Sequence, residues 1–265
     1  MNPQPCLPAD VLPIVQDVTG LLSTSLGADL LNVTIHGSLA LGGFRVETSD
    51  IDALVVVARP LPLDMRAVLG RALVSLPVQS VATGLELSVL TVDALHRYRY
   101  PLPFELHVSP AWWDQFRAGT VNLESTGTDP DLAAHLTVAL HCGVTVYGAP
   151  MTNYLSSVPW EDYIDAIVAD AVEAAAGILD DPLYGVLNLC RVLGAVTDRV
   201  VLSKRDGGLW GVAHLPNDAP LIRTAIHAYT GEHPGTTWDS IALTGFARDT
   251  IARIKGSVVT APAPR

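Results

Sequence analysis

The sequence is poor in basic residues, and this scarcity excludes one large class of partners. Its 265 residues include 16 lysines and arginines against 27 aspartates and glutamates, which gives a formal net charge of -11. The few cations are scattered rather than grouped into a stripe, so a nucleic-acid backbone would be repelled rather than bound. A polycationic small molecule would suit this field better, although many proteins are acidic merely for solubility.

Cysteines and long apolar runs are scarce as well. Cys6, Cys142 and Cys190 are widely spaced without a C-x-x-C pair, which argues against a disulfide framework and a zinc knuckle. We expect Cys142 and Cys190 to be small core residues. No run of about 18 residues is free of charges and turn formers, so no membrane span is predicted. The N-terminus lacks the regions of a secretory signal, so we expect the protein in the cytoplasm.

The hydrophobic pattern divides the chain into a mixed part and a helical part. The first part alternates helical periodicity with apolar strands, for example over residues 31–35, 53–57 and 85–92. The second part shows helical patterns over about 160–179, 182–200, 216–230 and 238–255 and no convincing strand. We therefore predict an α+β protein, with a mixed-sheet domain over residues 1–157 and an all-α helical bundle domain over residues 158–265.

The most informative pattern is a Gly-Ser turn followed by two alternating aspartates. Asp50 and Asp52 precede the apolar run 53–57, and alternate residues of a strand face the same side. Both carboxylates can therefore point at one Mg²⁺ ion, which prefers oxygen ligands. Upstream, Gly37 lets backbone N–H groups approach a phosphate without a Cβ in the way, and Ser38 adds a hydroxyl donor. The combination predicts nucleotidyl transfer, whereas an isolated aspartate pair would predict nothing.

Nucleotidyl transfer also needs a base that takes the proton of the acceptor hydroxyl. Glu86 is the first candidate, because it lies at the start of an apolar strand, where a charge is otherwise costly. We favour the role of general base. A third metal ligand and a solvent-facing strand residue are the alternatives.

Few cations are available for the triphosphate. Arg191 lies in an apolar helical segment, where an unpaired guanidinium is costly, so we expect a phosphate or carboxylate partner. An internal salt bridge is the alternative for this residue. Lys204 opens the segment 203–210, which is interpreted as a flexible loop that can fold over a nucleotide; a solvated loop lysine is the alternative.

With these residues assembled, the sequence resembles the aminoglycoside 3''/9 O-nucleotidyltransferases, the streptomycin/spectinomycin adenylyltransferase family of the DNA polymerase β-like superfamily. The resemblance covers nearly the whole length and is carried by HGSLALGGFRVETSDIDALVVV, FELHVSPAWWDQFRAG, DPDLAAHLTVALHCGVTVYG, YGVLNLCRVLGAVTDRVVLSK and IHAYTGEH. The first motif specifies the superfamily and the others specify the branch. The resemblance implies a polymerase β-like nucleotidyltransferase domain that moves AMP from ATP to an aminoglycoside hydroxyl with the help of Mg²⁺.

The resemblance also implies a nucleotide site with residues from both parts of the chain. The residues expected to hold triphosphate oxygens are Gly37, Ser38 and Ser49. The residues expected to bind Mg²⁺ are Asp50 and Asp52, and Glu86 is expected to activate the acceptor hydroxyl. The residues expected to reach the ATP phosphates or base from the helical part are Arg191, Lys204 and Tyr229.

Agreement with the family is weaker on the acceptor side. On the nucleotide side, Asp131 falls where the family keeps an acidic residue near the site, and it is expected among the nucleotide-binding residues. On the acceptor side, Asp181 falls where an acidic residue faces the cationic antibiotic. Either aspartate can equally be read as the start of a helix. Trp112 and Trp113 are displaced from the family's aromatic drug contact, and the segment 174–179 is poorer in aromatic and acidic groups. Trp112 is the candidate substrate contact, with core packing as its alternative.

Two other functions remain open. The chain resembles enzymes whose fold can serve another acceptor, such as a protein or a metabolite, and a catalytically silent nucleotide-binding homologue is the second alternative. The intact Asp50, Asp52 and Glu86 argue against the silent version. We expect a monomer whose partners are ATP and a cationic aminoglycoside, with Mg²⁺ as cofactor and with neither nucleic acid nor membrane as a partner.

Overall fold

The structure is a computed structural model that describes residues 7–123, 127–232 and 235–260. Cys6 and the final histidine of the motif IHAYTGEH lie outside the described residues. The chain divides into two compact units, Met1–Tyr163 and Ile164–Arg265. This division falls close to the predicted domain boundary between residues 157 and 158, which stays a prediction.

The first unit contains a mixed sheet. The strands of this unit are β1 (Leu30–Ile35), β2 (Ile51–Val57), β3 (Leu85–Thr91), β4 (Leu102–Pro103), β5 (Leu106–Val108), β6 (Thr128–Asp129) and β7 (Val144–Gly148). Five of them form one sheet in the order β5-β3-β2-β1-β7, and β4 pairs with β6. Strands β2 and β3 are parallel, whereas the other neighbours in the larger sheet are antiparallel.

Helices cover both faces of the larger sheet. The helices of this part are α1 (Leu12–Leu26), α2 (Gly37–Ala40), α3 (Leu63–Leu73), α4 (Val92–His96), α5 (Trp113–Ala118) and α6 (Leu132–Cys142). Because strand side chains alternate, Val55 and Val89 point into a core that includes residues of α1, α3 and α5. Leu54 and Leu90 point the other way, into a second core that includes residues of α6.

The C-terminal part is helical, as predicted. Its helices are α7 (Trp160–Ala176), α8 (Pro182–Asp198), α9 (Lys204–His214), α10 (Ala219–Thr230) and α11 (Ser240–Thr260). No strand occurs among the described residues after Gly148. Within the described ranges, no helix is both long and apolar enough to cross a membrane. Cys190 is buried as expected, whereas Cys142 is only half-buried.

The prediction of a flexible loop over residues 203–210 is wrong, because Lys204 is the first residue of α9. The Ser203 side chain accepts a hydrogen bond from the backbone N–H of Asp206 at 3.0 Å and thereby caps the helix. Gly207 and Gly208, which weaken a helix, nevertheless lie inside α9, where it packs closely on neighbouring helices. A Cβ at Gly207 would lie 2.6 Å from the Arg191 Cα atom.

Candidate active site

Three carboxylates converge at one end of the parallel strand pair. Asp50 immediately precedes β2, Asp52 lies in β2, and Glu86 lies in β3. The register of the parallel pair places Asp52 directly beside Glu86. Ligand oxygens of all three half-buried side chains lie within 4.8 Å of one another. Their position follows from strand alternation, which puts both Asp52 and Glu86 on the face covered by α6.

These carboxylates fit a divalent cation. Oxygen ligands suit Mg²⁺, and three like charges at this separation are stabilised when a cation lies between them. Among the residues that the structure describes, this is the one group of three or more His, Cys, Asp or Glu side chains with such spacing.

The Gly-Ser turn lies against the carboxylate of Asp52. Gly37 begins α2 with a φ of +58°, a conformation that favours glycine. A Cβ built on Gly37 would lie only 1.7 Å from Asp52 Oδ2, so the carboxylate occupies the space that any other side chain would need. The backbone N–H of His36 donates to the Asp52 carbonyl oxygen at 3.0 Å and ties the end of β1 to β2.

The two serines of the motif differ in their hydrogen bonds. Ser38 Oγ is buried and has no hydrogen-bond partner among the described residues. Such an unsatisfied hydroxyl costs about 1–3 kcal/mol, so a polar ligand at this position would be stabilising. Ser49 is also buried, and its Oγ accepts the backbone N–H of Arg45 at 3.1 Å. That bond uses an oxygen lone pair and leaves the hydroxyl hydrogen for an acceptor such as phosphate.

Sequence reasoning missed His135, a histidine close to Glu86. His135 Nε2, from α6, lies 3.8 Å from Glu86 Oε1, and the His135 ring lies 5.0 Å from that of His36 between centroids. Burial, and secondarily the proximity of His135, holds the pKa of His36 well below its ordinary value, so His36 is neutral at neutral pH. The sequence of α6 could have pointed to His135, because this histidine interrupts an otherwise apolar face next to Leu136.

His107 connects Glu86's strand to the predicted acceptor side. Its ring shares a hydrogen bond of 2.9 Å with Ser88 Oγ, and the ring centroid lies 6.3 Å from that of Trp112, edge-on. Burial lowers the pKa of His107, while the Glu86 carboxylate acts in the opposite direction. Trp112 is 40% exposed and therefore accessible to a ligand, whereas Trp113 is 7% exposed and packs in the core.

The two candidate helix starts have different structures. Asp131 occupies the N-cap position of α6, but its side chain makes no capping hydrogen bond; its backbone N–H donates to Asp129 Oδ1 at 2.9 Å. Asp181 does cap α8, because its Oδ1 accepts the backbone N–H of Tyr184 at 3.0 Å. The helix-start interpretation therefore describes Asp181 better than Asp131.

Four of the predicted residues, Asp181 among them, lie in the second unit. Arg191 Nη2 is 3.3 Å from Asp170 Oδ2, which is the internal salt bridge considered from the sequence. Lys204 Nζ lies 4.6 Å from the centre of the Tyr184 ring, and Asp181 binds the Tyr184 backbone. Tyr229 lies in α10 and is half-buried. Asp170 was not predicted, because nothing in the sequence of α7 distinguishes it from the other acidic residues there.

The fold and the carboxylate site are typical of nucleotidyltransferases. Residues 153–253 match the family model of the aminoglycoside adenylyltransferase C-terminal domain. This match confirms the resemblance that the sequence motifs indicate.

Curated and solved relatives agree with this resemblance. The spectinomycin 9-adenylyltransferase of Staphylococcus aureus is 29% identical over 211 residues, which are 78% of this chain and 80% of the relative. The aminoglycoside (3'') (9) adenylyltransferase of Escherichia coli is 27% identical over 231 residues, covering 84% and 87%. A crystal structure of an enterococcal spectinomycin adenyltransferase, AAD(9), solved with ATP and spectinomycin, has a TM-score of 0.77 at 20% identity and covers 92% and 99% of the two chains. The predicted fold is thus confirmed.

Proposed function

We propose that the protein is a Mg²⁺-dependent adenylyltransferase that transfers AMP from ATP to a hydroxyl of an aminoglycoside such as streptomycin or spectinomycin. The observation that carries the proposal is the convergence of Asp50, Asp52 and Glu86, with Gly37 packed against Asp52 and the unsatisfied hydroxyl of Ser38 on the next residue. The names of the relatives and the ATP and spectinomycin of the solved neighbour support it.

The residues around the turn bind and orient the nucleotide. Asp50 and Asp52 would hold Mg²⁺, which when bound neutralises charge on the phosphate oxygens. The backbone at Gly37 and the hydroxyls of Ser38 and Ser49 donate to triphosphate oxygens. Phosphate binding would satisfy the Ser38 hydroxyl, which lacks a partner among the described residues.

Glu86 acts on the acceptor. Its carboxylate takes the proton from the acceptor hydroxyl, whose oxygen forms a bond to the α-phosphorus of ATP. The bond from that phosphorus to the oxygen bridging to the β-phosphate breaks, and its electron pair leaves with pyrophosphate. Half-burial keeps the Glu86 carboxylate close to its neighbours and still accessible to a substrate.

Other residues serve the same two substrates in this proposal. Arg191, Lys204 and Tyr229 bind ATP, and Asp131 lies near the nucleotide. The acceptor is recognised by Trp112 and Asp181, an exposed aromatic ring and an exposed carboxylate that suit a cationic sugar. The protein acts in the cytoplasm, where ATP is supplied, and as a monomer.

Pyrophosphate release across a panel of aminoglycosides, including streptomycin and spectinomycin, tests the proposal. The wild type should release pyrophosphate only with ATP, Mg²⁺ and a suitable acceptor. Asp52→Asn should abolish turnover while circular dichroism and the unfolding midpoint stay close to wild type, because the exchange keeps the shape of the side chain. Retention of most activity by Asp52→Asn would refute the metal role.

Glu86→Gln separates the base from a third metal ligand. A base contributes about 10²–10⁴-fold, so kcat should fall by that factor with little change in the affinity for ATP and Mg²⁺. A parallel loss of Mg²⁺ affinity would instead assign Glu86 to the metal. Labelled AMP that appears on protein would point to another acceptor, and ATP binding without release for every acceptor would indicate a silent homologue.

A further inference from the structure

Asp170, on α7, is the centre of a polar network in the helical unit. Its Oδ1 accepts the hydroxyl of Tyr184 at 2.7 Å, and its Oδ2 accepts the side-chain amide of Asn188 at 3.0 Å. The same Oδ2 pairs with Arg191 Nη2 at 3.3 Å. Asn188 is completely buried. One carboxylate thus fixes three side chains of α8.

The network holds Arg191 by a single nitrogen. Nη2 donates both to Asp170 and to the side-chain oxygen of Asn188. Among the described residues, Nε and Nη1 make no hydrogen bond or ion pair, which leaves three N–H donors for an anion. The salt bridge and a phosphate contact are therefore compatible, and the bridge fixes the direction of the remaining donors.

The network reaches Lys204 through Tyr184. The Lys204 ammonium lies over the Tyr184 ring, and a phenol that donates to a carboxylate gains electron density in its ring. Asp170 therefore strengthens the attraction that holds the lysine. The start of α9 is fixed close by, because Gly207 lies against the backbone of Arg191.

We propose that Asp170 is a positioning residue that orients two cations, Arg191 directly and Lys204 through Tyr184, for the triphosphate of ATP. The inference rests on the proposed function, in which both cations bind ATP. Asp170 itself touches neither the substrate nor the reacting atoms. Its negative charge also reduces the repulsion between the two cations before ATP arrives.

Asp170→Asn tests the inference, because it keeps the shape and removes the charge. We expect the Kd for ATP, measured by calorimetry, and the KM for ATP each to rise about tenfold, as for a lost hydrogen bond between charged groups. The kcat and the acceptor KM should change much less. Glu173→Gln removes a charge from an exposed position of the same helix and should leave the Kd and KM for ATP unchanged.

Two further variants distinguish positioning from a general loss of structure. Tyr184→Phe keeps the ring and removes the hydroxyl, so it should raise the ATP Kd by less than Asp170→Asn. If Asp170 acts through Arg191, adding Asp170→Asn to Arg191→Gln should weaken ATP binding much less than it does in the wild type.

The outcomes separate this inference from the proposed function. An active wild type whose ATP Kd is unchanged by both Asp170→Asn and Tyr184→Phe would overturn the inference alone. Fully additive losses in the double variant would also overturn it. A wild type that binds ATP but releases no pyrophosphate with any acceptor would refute the transferase function, while the calorimetry still tests Asp170. Absence of ATP binding by the wild type would refute both.

Discussion

At the scale of single residues, Gly37 determines where the carboxylate of Asp52 can lie. Gly37→Ala would place a methyl group on Asp52 Oδ2 and displace it. Because misplacement of a reacting group by about 1 Å can cost about 10²-fold, we expect at least that loss in kcat/KM, measured by pyrophosphate release. The left-handed backbone adds a stability cost of about 1–2 kcal/mol, to be read from denaturant unfolding.

Gly42 provides the matched control for this prediction. It has a similar left-handed φ of +71°, yet a Cβ there would meet nothing within 4 Å. Gly42→Ala should therefore carry the same kind of backbone strain and keep most of the activity. Equal activity losses in the two variants would contradict the clash with Asp52 and assign the effect to strain.

The predictability of each site residue depends on how local its cause is. Asp50 and Asp52 could be predicted because strand alternation alone brings them together. Glu86 required a guess about the neighbouring strand, which the parallel register supports. His135 and Asp170 could not be predicted, because their partners lie on other elements of the fold and no local pattern specifies helix packing.

At the scale of elements, α9 shows how packing can override a local signal. Residues 203–210 were predicted to form a loop, and their two consecutive glycines disfavour a helix, since glycine weakens a helix. In the structure Gly207 and Gly208 nevertheless lie inside α9. Arg191 packs against Gly207, and Leu187 and Ile226 pack against Gly208, so neither position has room for a side chain. Strand β7 was not predicted from the sequence. Its five residues form a strand by pairing with β1, which lies far away in the sequence.

This packing predicts opposite effects for two glycine-to-alanine substitutions in helices. Gly207→Ala should destabilise the protein by about 1–3 kcal/mol, because its Cβ would meet the backbone of Arg191 and push α9 away from α8. Gly245→Ala in α11 meets nothing within 4 Å and should stabilise by about 0.5–1 kcal/mol through helix propensity. Urea unfolding of both variants measures the difference, and a stabilising Gly207→Ala would contradict the close contact of the two helices.

At the scale of the whole molecule, composition and periodicity were enough to predict an α+β sheet part followed by a helical part. The sheet part and the helical part are each predicted from patterns repeated over many residues. A single local error, such as the loop predicted at residues 203–210, therefore does not change the predicted fold class. The unit division at Tyr163 falls within α7, a helix that continues across it. Sequence patterns mark the ends of helices, so they placed the predicted boundary before this helix.

The net charge of -11 leads to a prediction about the whole molecule that does not depend on any single residue. A cationic acceptor is attracted by the summed field, and the screening length falls from about 14 Å to about 6 Å between about 50 and about 300 mM salt. The KM for the aminoglycoside should therefore rise several-fold over this range, measured by steady-state pyrophosphate release at saturating Mg²⁺. The KM for anionic ATP should stay level or fall, because its repulsion is screened by the same ions. Sucrose at matched osmolality is the control. A flat acceptor KM would mean that local contacts alone recruit the acceptor and that the acidic surface serves only solubility.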